Sequence, residues 1–157
     1  MFRIRFAGAA LAALALLALP TTSRADWPRD LGTGGLPLCN LSFNQTNPLS
    51  VPDGSGGTIV AWTDWRPGGT TDIYAQRVSA AGVPLWTANG AAVCTATGNQ
   101  TLARVISDGA GGAILCWIDS RNGLNDIYAQ RINGNGASLW AIQGFTVCTA
   151  ADRKSVV

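Results

Sequence analysis

Apolar and polar positions alternate in short runs separated by glycine-rich breaks. No run keeps the 3.6-residue recurrence of an amphipathic helix. The stretch 100–149 shows the pattern in full. Leu102 to Ser107 reads as a strand with Arg104 as a polar interruption. Ala113 to Ile118 reads as a second strand, whose continuous apolarity suits burial on both faces. Asp126 to Ile132 reads as a third, with Ile127, Ala129 and Arg131 on one face and Tyr128, Gln130 and Ile132 on the other. Between them lie Asp108-Gly109-Ala110-Gly111-Gly112, Asp119-Ser120-Arg121-Asn122-Gly123 and Asn133-Gly134-Asn135-Gly136. These are turn sequences, in which Gly supplies positive φ and Asp or Asn caps its own backbone. Ser138 to Trp140 is expected to begin a fourth strand or edge, and Phe145 to Thr149 to lead into the next unit.

The pattern occurs twice. Val60-Ala61-Trp62-Thr63-Asp64 returns 55 residues on as Leu115-Cys116-Trp117-Ile118-Asp119, and Asp53-Gly54-Ser55-Gly56-Gly57 as Asp108-Gly109-Ala110-Gly111-Gly112. After a one-residue deletion the offset becomes 54, and Asp72-Ile73-Tyr74-Ala75-Gln76-Arg77 returns unchanged as Asp126-Ile127-Tyr128-Ala129-Gln130-Arg131. Leu85-Trp86 returns as Leu139-Trp140, and Val93-Cys94 as Val147-Cys148. The expected organisation is therefore a leader at 1–25, a degenerate start at 26–38, unit 1 at 39–93, unit 2 at 94–148 and a truncated or atypical tail at 149–157. Four-stranded units of this period predict an all-β, propeller-like architecture, with a β-sandwich as the alternative. A propeller usually closes with at least four blades. Two units thus imply a fragment of a longer protein or, were the chain complete, a homo-oligomeric ring.

Trp117-x-Asp119-x-Arg121, then Asp126 to Arg131, then Gly136-x-x-Leu139-Trp140 resembles a repeat common in large exported bacterial proteins. The resemblance spans residues 38–149. It implies β-propeller-like domains in proteins that are mostly uncharacterised and often carry a C-terminal sorting module. It implies no particular activity.

Composition is bent by the first 25 residues. Arg3 and Arg5, an apolar run from Ala7 to Leu19, Pro20, and Ser23-Arg24-Ala25 have the layout of a signal peptide cleaved before Asp26. Export to the periplasm, cell surface or medium follows, and no later stretch is long and apolar enough for a membrane-spanning helix. Without the three leader arginines, eight basic side chains face nine acidic ones, a net charge of −1. That speaks against a nucleic-acid surface. Asn40, Asn44 and Asn99 fit the glycosylation pattern, which matters only in a host that modifies exported chains.

Catalytic chemistry has little to draw on. The chain has no His and no Glu, and no Gly-x-Ser-x-Gly elbow. The expectation is a non-enzyme. Trp62 and Trp117 are expected in the core. Trp65, Trp86 and Trp140 are the candidate ligand contacts, for a glycan above all. Asp64, Arg66 and Asp72 recur as Asp119, Arg121 and Asp126, and each Arg is expected to bridge its two carboxylates and staple the turn. Ca²⁺ on the same carboxylates is the alternative, which Arg at the centre opposes. Arg77 and Arg131 are expected to reach the Asp residues of their unit or Tyr74 and Tyr128. The four cysteines are expected as small buried residues, with a bridge from Cys116 to Cys94 or Cys148 as the minority alternative. The two functional readings are an exported scaffold or adhesion domain, with a protein or cell-surface partner, and a carbohydrate-binding module.

Overall fold

The computed structural model describes residues 35–66 and 69–149. The leader, the degenerate start up to residue 34 and the tail from residue 150 lie outside the described residues. The rest is all-β. Strands β1 (Gln45–Pro52), β2 (Thr58–Asp64), β3 (Asp72–Val78) and β4 (Ala91–Cys94) form one antiparallel sheet in chain order. Strands β5 (Gln100–Ser107), β6 (Ala113–Asp119), β7 (Asp126–Ile132) and β8 (Phe145–Cys148) form a second with the same topology. No helix among the described residues is long and apolar enough to cross a membrane.

Each turn follows from its residues. Asp53 Oδ1 accepts from the backbone N–H groups of Ser55 and Gly57, both at 2.8 Å. Asp108 does the same for Ala110 and Gly112. Gly54, Gly56, Gly109 and Gly111 all take positive φ in these turns. Asn47 and Pro48 fall in a bulge of β1, where the missing proline N–H costs no ladder bond.

The fourth strand is not where the sequence places it. Leu85 and Leu139 only return a hydrogen bond to the carbonyls of Arg77 and Arg131, and Ser138 makes a lone bridge to Ile132. The strand that completes each sheet begins after a tight turn, in which Asn89-Gly90 and Gln143-Gly144 all adopt positive φ. That turn carries the chain back onto β3 or β7. Phe145 to Cys148 thus closes its own sheet instead of opening another.

One apolar core spans both sheets, with Ile59, Ile73 and Val93 from the first meeting Leu102, Leu115 and Trp117 from the second. Strand β5 lies across β1, β2 and β3, and the Leu102 N–H donates to Thr63 Oγ1 at 3.0 Å. The described residues contain no closed ring. The two sheets pack face on face, which is the sandwich-like arrangement rather than a closed propeller.

Candidate functional site

The side chains repeated most strictly build a clasp at the end of β2 and again at the end of β6. Trp62 ends an apolar run and lies in the core, and its indole N–H donates to Asp64 Oδ2 at 2.7 Å. The same oxygen accepts from Arg66 Nη2 at 2.7 Å, while Oδ1 caps the Arg66 backbone N–H at 2.8 Å. Arg66 Nη2 also reaches the carbonyl of Asn89 at 2.7 Å, and its guanidinium lies 3.4 Å from the centre of the Tyr74 ring. The second unit repeats this. Asp119 holds Trp117 at 2.8 Å and Arg121 Nη2 at 2.6 Å. Arg121 reaches the Gln143 carbonyl at 2.8 Å and lies 3.9 Å from the centre of the Tyr128 ring.

The chemistry of the clasp follows from these bonds. Burial alone would push the Asp64 and Asp119 carboxyls up. Hydrogen bonds from Arg and Trp, with the Arg charge, outweigh it and hold both below the usual carboxylate range. Both oxygens of each carboxylate already accept hydrogen bonds, with a guanidinium beside them, so each is an engaged anchor and a poor cation ligand. No group of three or more His, Cys, Asp or Glu side chains is arranged to hold a metal among the described residues.

The expected two-carboxylate bridge is not formed. Asp72 is paired across the ladder with Asp64 and Asp126 with Asp119. Each Arg hydrogen-bonds only the carboxylate on its own side of the turn and spends its remaining reach on a carbonyl. Burial, with the Asp64 charge alongside, raises the Asp72 carboxyl to about 6. Its counterpart Asp126 receives Asn122 Nδ2 at 3.3 Å.

Arg77 and Arg131 take the first of their two expected options. Their Nε groups pair with Asp53 at 2.8 Å and Asp108 at 3.0 Å, tying β3 and β7 to the glycine turn of the same unit. Asp53 is desolvated, yet its bonds from Ser55, Arg77 and Gly57 hold its carboxyl down. Hydrogen bonds from Ala110 above all lower Asp108.

The tryptophans separate into three groups. Trp62 and Trp117 are core, as their place at the end of an apolar strand predicts. Trp86 is not a free platform. Its indole N–H donates to the Gly134 carbonyl of the other sheet at 3.0 Å, and its ring covers Gly136, where a Cβ would come within 2.9 Å. Trp65 and Trp140 are exposed, at 42% and 41%. The Trp65 amide bonds the Asn44 carbonyl, which fixes its turn to the start of β1. Trp140 lines an apolar depression with Ala141 and Phe145.

The cysteines are free thiols. Only Cys94 is the buried small residue that was expected of all four. Burial raises its thiol to about 11, and Arg121 Nη2 lies 3.3 Å from its sulfur. Cys39 and Cys116 are half-buried and Cys148 is exposed.

Gln76 and Gln130, which the sequence leaves to satisfy backbone groups or to face water, do the first; the glycines above Trp62 and Trp117 escape a reading of the sequence. Gln76 and Gln130 are fully buried. Gln76 accepts from the backbone N–H groups of Trp86 and Arg77 and donates to the Thr87 carbonyl. Gln130 repeats all three bonds with Trp140, Arg131 and Ala141. Gly90 and Gly144 lie so close over Trp62 and Trp117 that a Cβ would come within 2.5 Å of either ring. The signal for both was their exact repetition at an offset of 54. Comparison with protein-family models, with curated proteins and with solved structures finds no match.

Proposed function

We propose that the chain is an exported, non-catalytic recognition module of β-propeller-like units whose ligand is a glycan. The observation that carries the ligand class is Trp65. It is exposed beside a turn and has no counterpart in the other unit, where Ser120 stands. Repeated residues here are spent on clasps and turns, whereas a ligand contact needs to be built only once. A half-exposed indole offers the broad apolar face on which the C–H side of a sugar ring can lie. Export rests on the layout of residues 1–25, and the blade-like reading on the meander order shared by the two sheets.

A second reading, a scaffold or adhesion domain with a protein or cell-surface partner, is favoured by the repeated clasps. These are structural and present no reacting group. A glycan array followed by tryptophan fluorescence titration separates the two. Saturable quenching by one sugar class, abolished in Trp65→Ala and kept in Trp140→Ala, is the expected result. Absence of any saturable sugar response on the array and in titration refutes the glycan reading and leaves the scaffold.

A further inference from the structure

The contact between the two units shows what one face of this repeat is built to hold. In unit 1 that face carries Ile59, Ala61, Thr63, Ile73 and Val93, all buried under unit 2. At its rim, Arg77 Nη1 and Trp86 Nε1 converge on one acceptor, the Gly134 carbonyl, both at 3.0 Å. Gly134 has no side chain to block the guanidinium, and Gly136 leaves room for the indole. A second link runs along the main chain. The Gln100 N–H donates to the Thr71 carbonyl at 2.8 Å, and the Thr71 N–H to Asn99 Oδ1 at 3.1 Å. Residues Cys94-Thr95 then lead straight from this face into the unit that covers it, where Thr95 N–H meets Gln143 Oε1 at 2.7 Å.

Among the described residues, nothing covers the same face of unit 2. Ile73, 0% exposed, becomes Ile127 at 36%, and Val93, 4% exposed, becomes Val147 at 58%. Buried Cys94 becomes exposed Cys148. Arg131 spends its Nε on Asp108, as Arg77 does on Asp53, and among the described residues its Nη groups and the Trp140 indole N–H have no acceptor. Burying this much apolar surface and supplying one carbonyl to two waiting donors is what unit 2 does for unit 1. The correspondence has one gap. Ile118 stands where Thr63 accepts the Leu102 N–H, so the covering strand would lack that bond.

We infer that the Trp140–Arg131 face of unit 2 is a docking site for a further unit of the same repeat. Its glycine-turn carbonyl would sit between Arg131 and Trp140, and its first strand would lie across β5, β6 and β7, over Ile127. A second copy of this chain is a poorer fit. Its own unit 1 has Asn47 and Ser50 where unit 2 presents the buried Leu102 and Val105. Its Cys39-Asn40 segment also already meets Arg66 and Asn89, the place that an incoming Cys148-Thr149 would take. The inference rests on the contact between units and is independent of the glycan reading, which turns on Trp65.

The test inserts a second copy of residues 96–149, its own two cysteines changed to Ala, between Thr149 and Ala150 of the full chain. Pulsed alkylation, located by peptide mass spectrometry, then reads Cys148 and Cys116. Both should react at least tenfold more slowly than in the natural chain, while Arg131→Ala combined with Trp140→Ala should restore the faster rate. Unchanged alkylation beside a folded extra unit overturns the inference. So does an extra unit that stays unfolded by circular dichroism, because the face is what it needs in order to fold. A natural chain that is dimeric in solution, with Cys148 already protected, overturns it in favour of a second copy.

Discussion

Gly144→Ala tests whether glycine in the turn before β8 is there for its backbone or for the space above Trp117. Gly144 has φ +97, and an added Cβ would lie 2.5 Å from two atoms of the indole and 3.2 Å from the Ala129 carbonyl. The ring cannot yield easily. Trp117 is fully buried, stacks on Tyr128 at 6.4 Å between centroids and is fixed by its bond to Asp119. Positive φ for alanine costs roughly 1–2 kcal/mol, and forcing a methyl into a packed core about 1–3 kcal/mol more. Gly109 supplies the control, with φ +74 and nothing within 4 Å of its added Cβ. Gly109→Ala should therefore lose only the backbone part. Urea unfolding of the mature chain, followed by tryptophan fluorescence, gives both values at one slope. Gly144→Ala should fall below Gly109→Ala by about 1–3 kcal/mol. Equal losses would show that the indole is not held as described, and the account of the clasp would fail with it.

Asp72→Asn should stabilise the chain at neutral pH. Its carboxyl is raised to about 6, so stability is full below the unfolded value near 4 and is lost as pH rises through 6. The variant should flatten that decline and gain about 1–3 kcal/mol at pH 7, read from urea midpoints between pH 4 and 8. The lowered Asp53, Asp64 and Asp119 have the opposite sign: their stabilisation is present above pH 4 and should fade in acid in wild type and variant alike. Trp86→Ala should cost about 2 kcal/mol and weaken the cooperativity between sheets, whereas Trp140→Ala should cost less than about 0.5 kcal/mol; equal losses in urea would contradict the assignment of Trp86 to the contact between units. Gln76→Ala takes the acceptor from two partly buried N–H groups and should cost on the order of 2 kcal/mol, with amide exchange at Arg77 and Trp86 accelerated.

Local order was legible because turns and strands are encoded locally. Asp126 to Ile132 is a strand with the bounds read from its alternation, and β6 extends the apolar run by one residue, Asp119. Leu139-Trp140 misled because apolarity alone does not say which neighbour a residue is apolar for. In unit 1 the equivalent Trp86 is half-buried against the other unit, so the signal belonged to packing between units and not to a strand. The Arg66 bridge failed for a related reason. Nearness in sequence suggested Asp72, but the ladder sets Asp72 against Asp64 and leaves Arg66 free to lie on Tyr74 and cap the Asn89 carbonyl. The Arg77–Asp53 pair spans 24 residues. Repetition identified both partners and left Asp or Tyr open as the target of Arg77, and the fold selects Asp53.

What differs between the units says more about the order of assembly than what they share. Leu102 and Val105 on β5 are buried against the first sheet, and β1 has Asn47 and Ser50, both exposed, at those positions. A sheet with exposed polar side chains on its first strand is suited to water or to a thin segment such as residues 36–44, and not to a second sheet. Unit 2 could not stand first without exposing Leu102 and Val105, and unit 1 could not stand second without burying an amide and a hydroxyl that have no partner there. The clasps are interchangeable, but the first strands are not, and they fix the direction in which one unit covers the next. The same logic places the open apolar face at the far end of unit 2, on the side away from the polar strand.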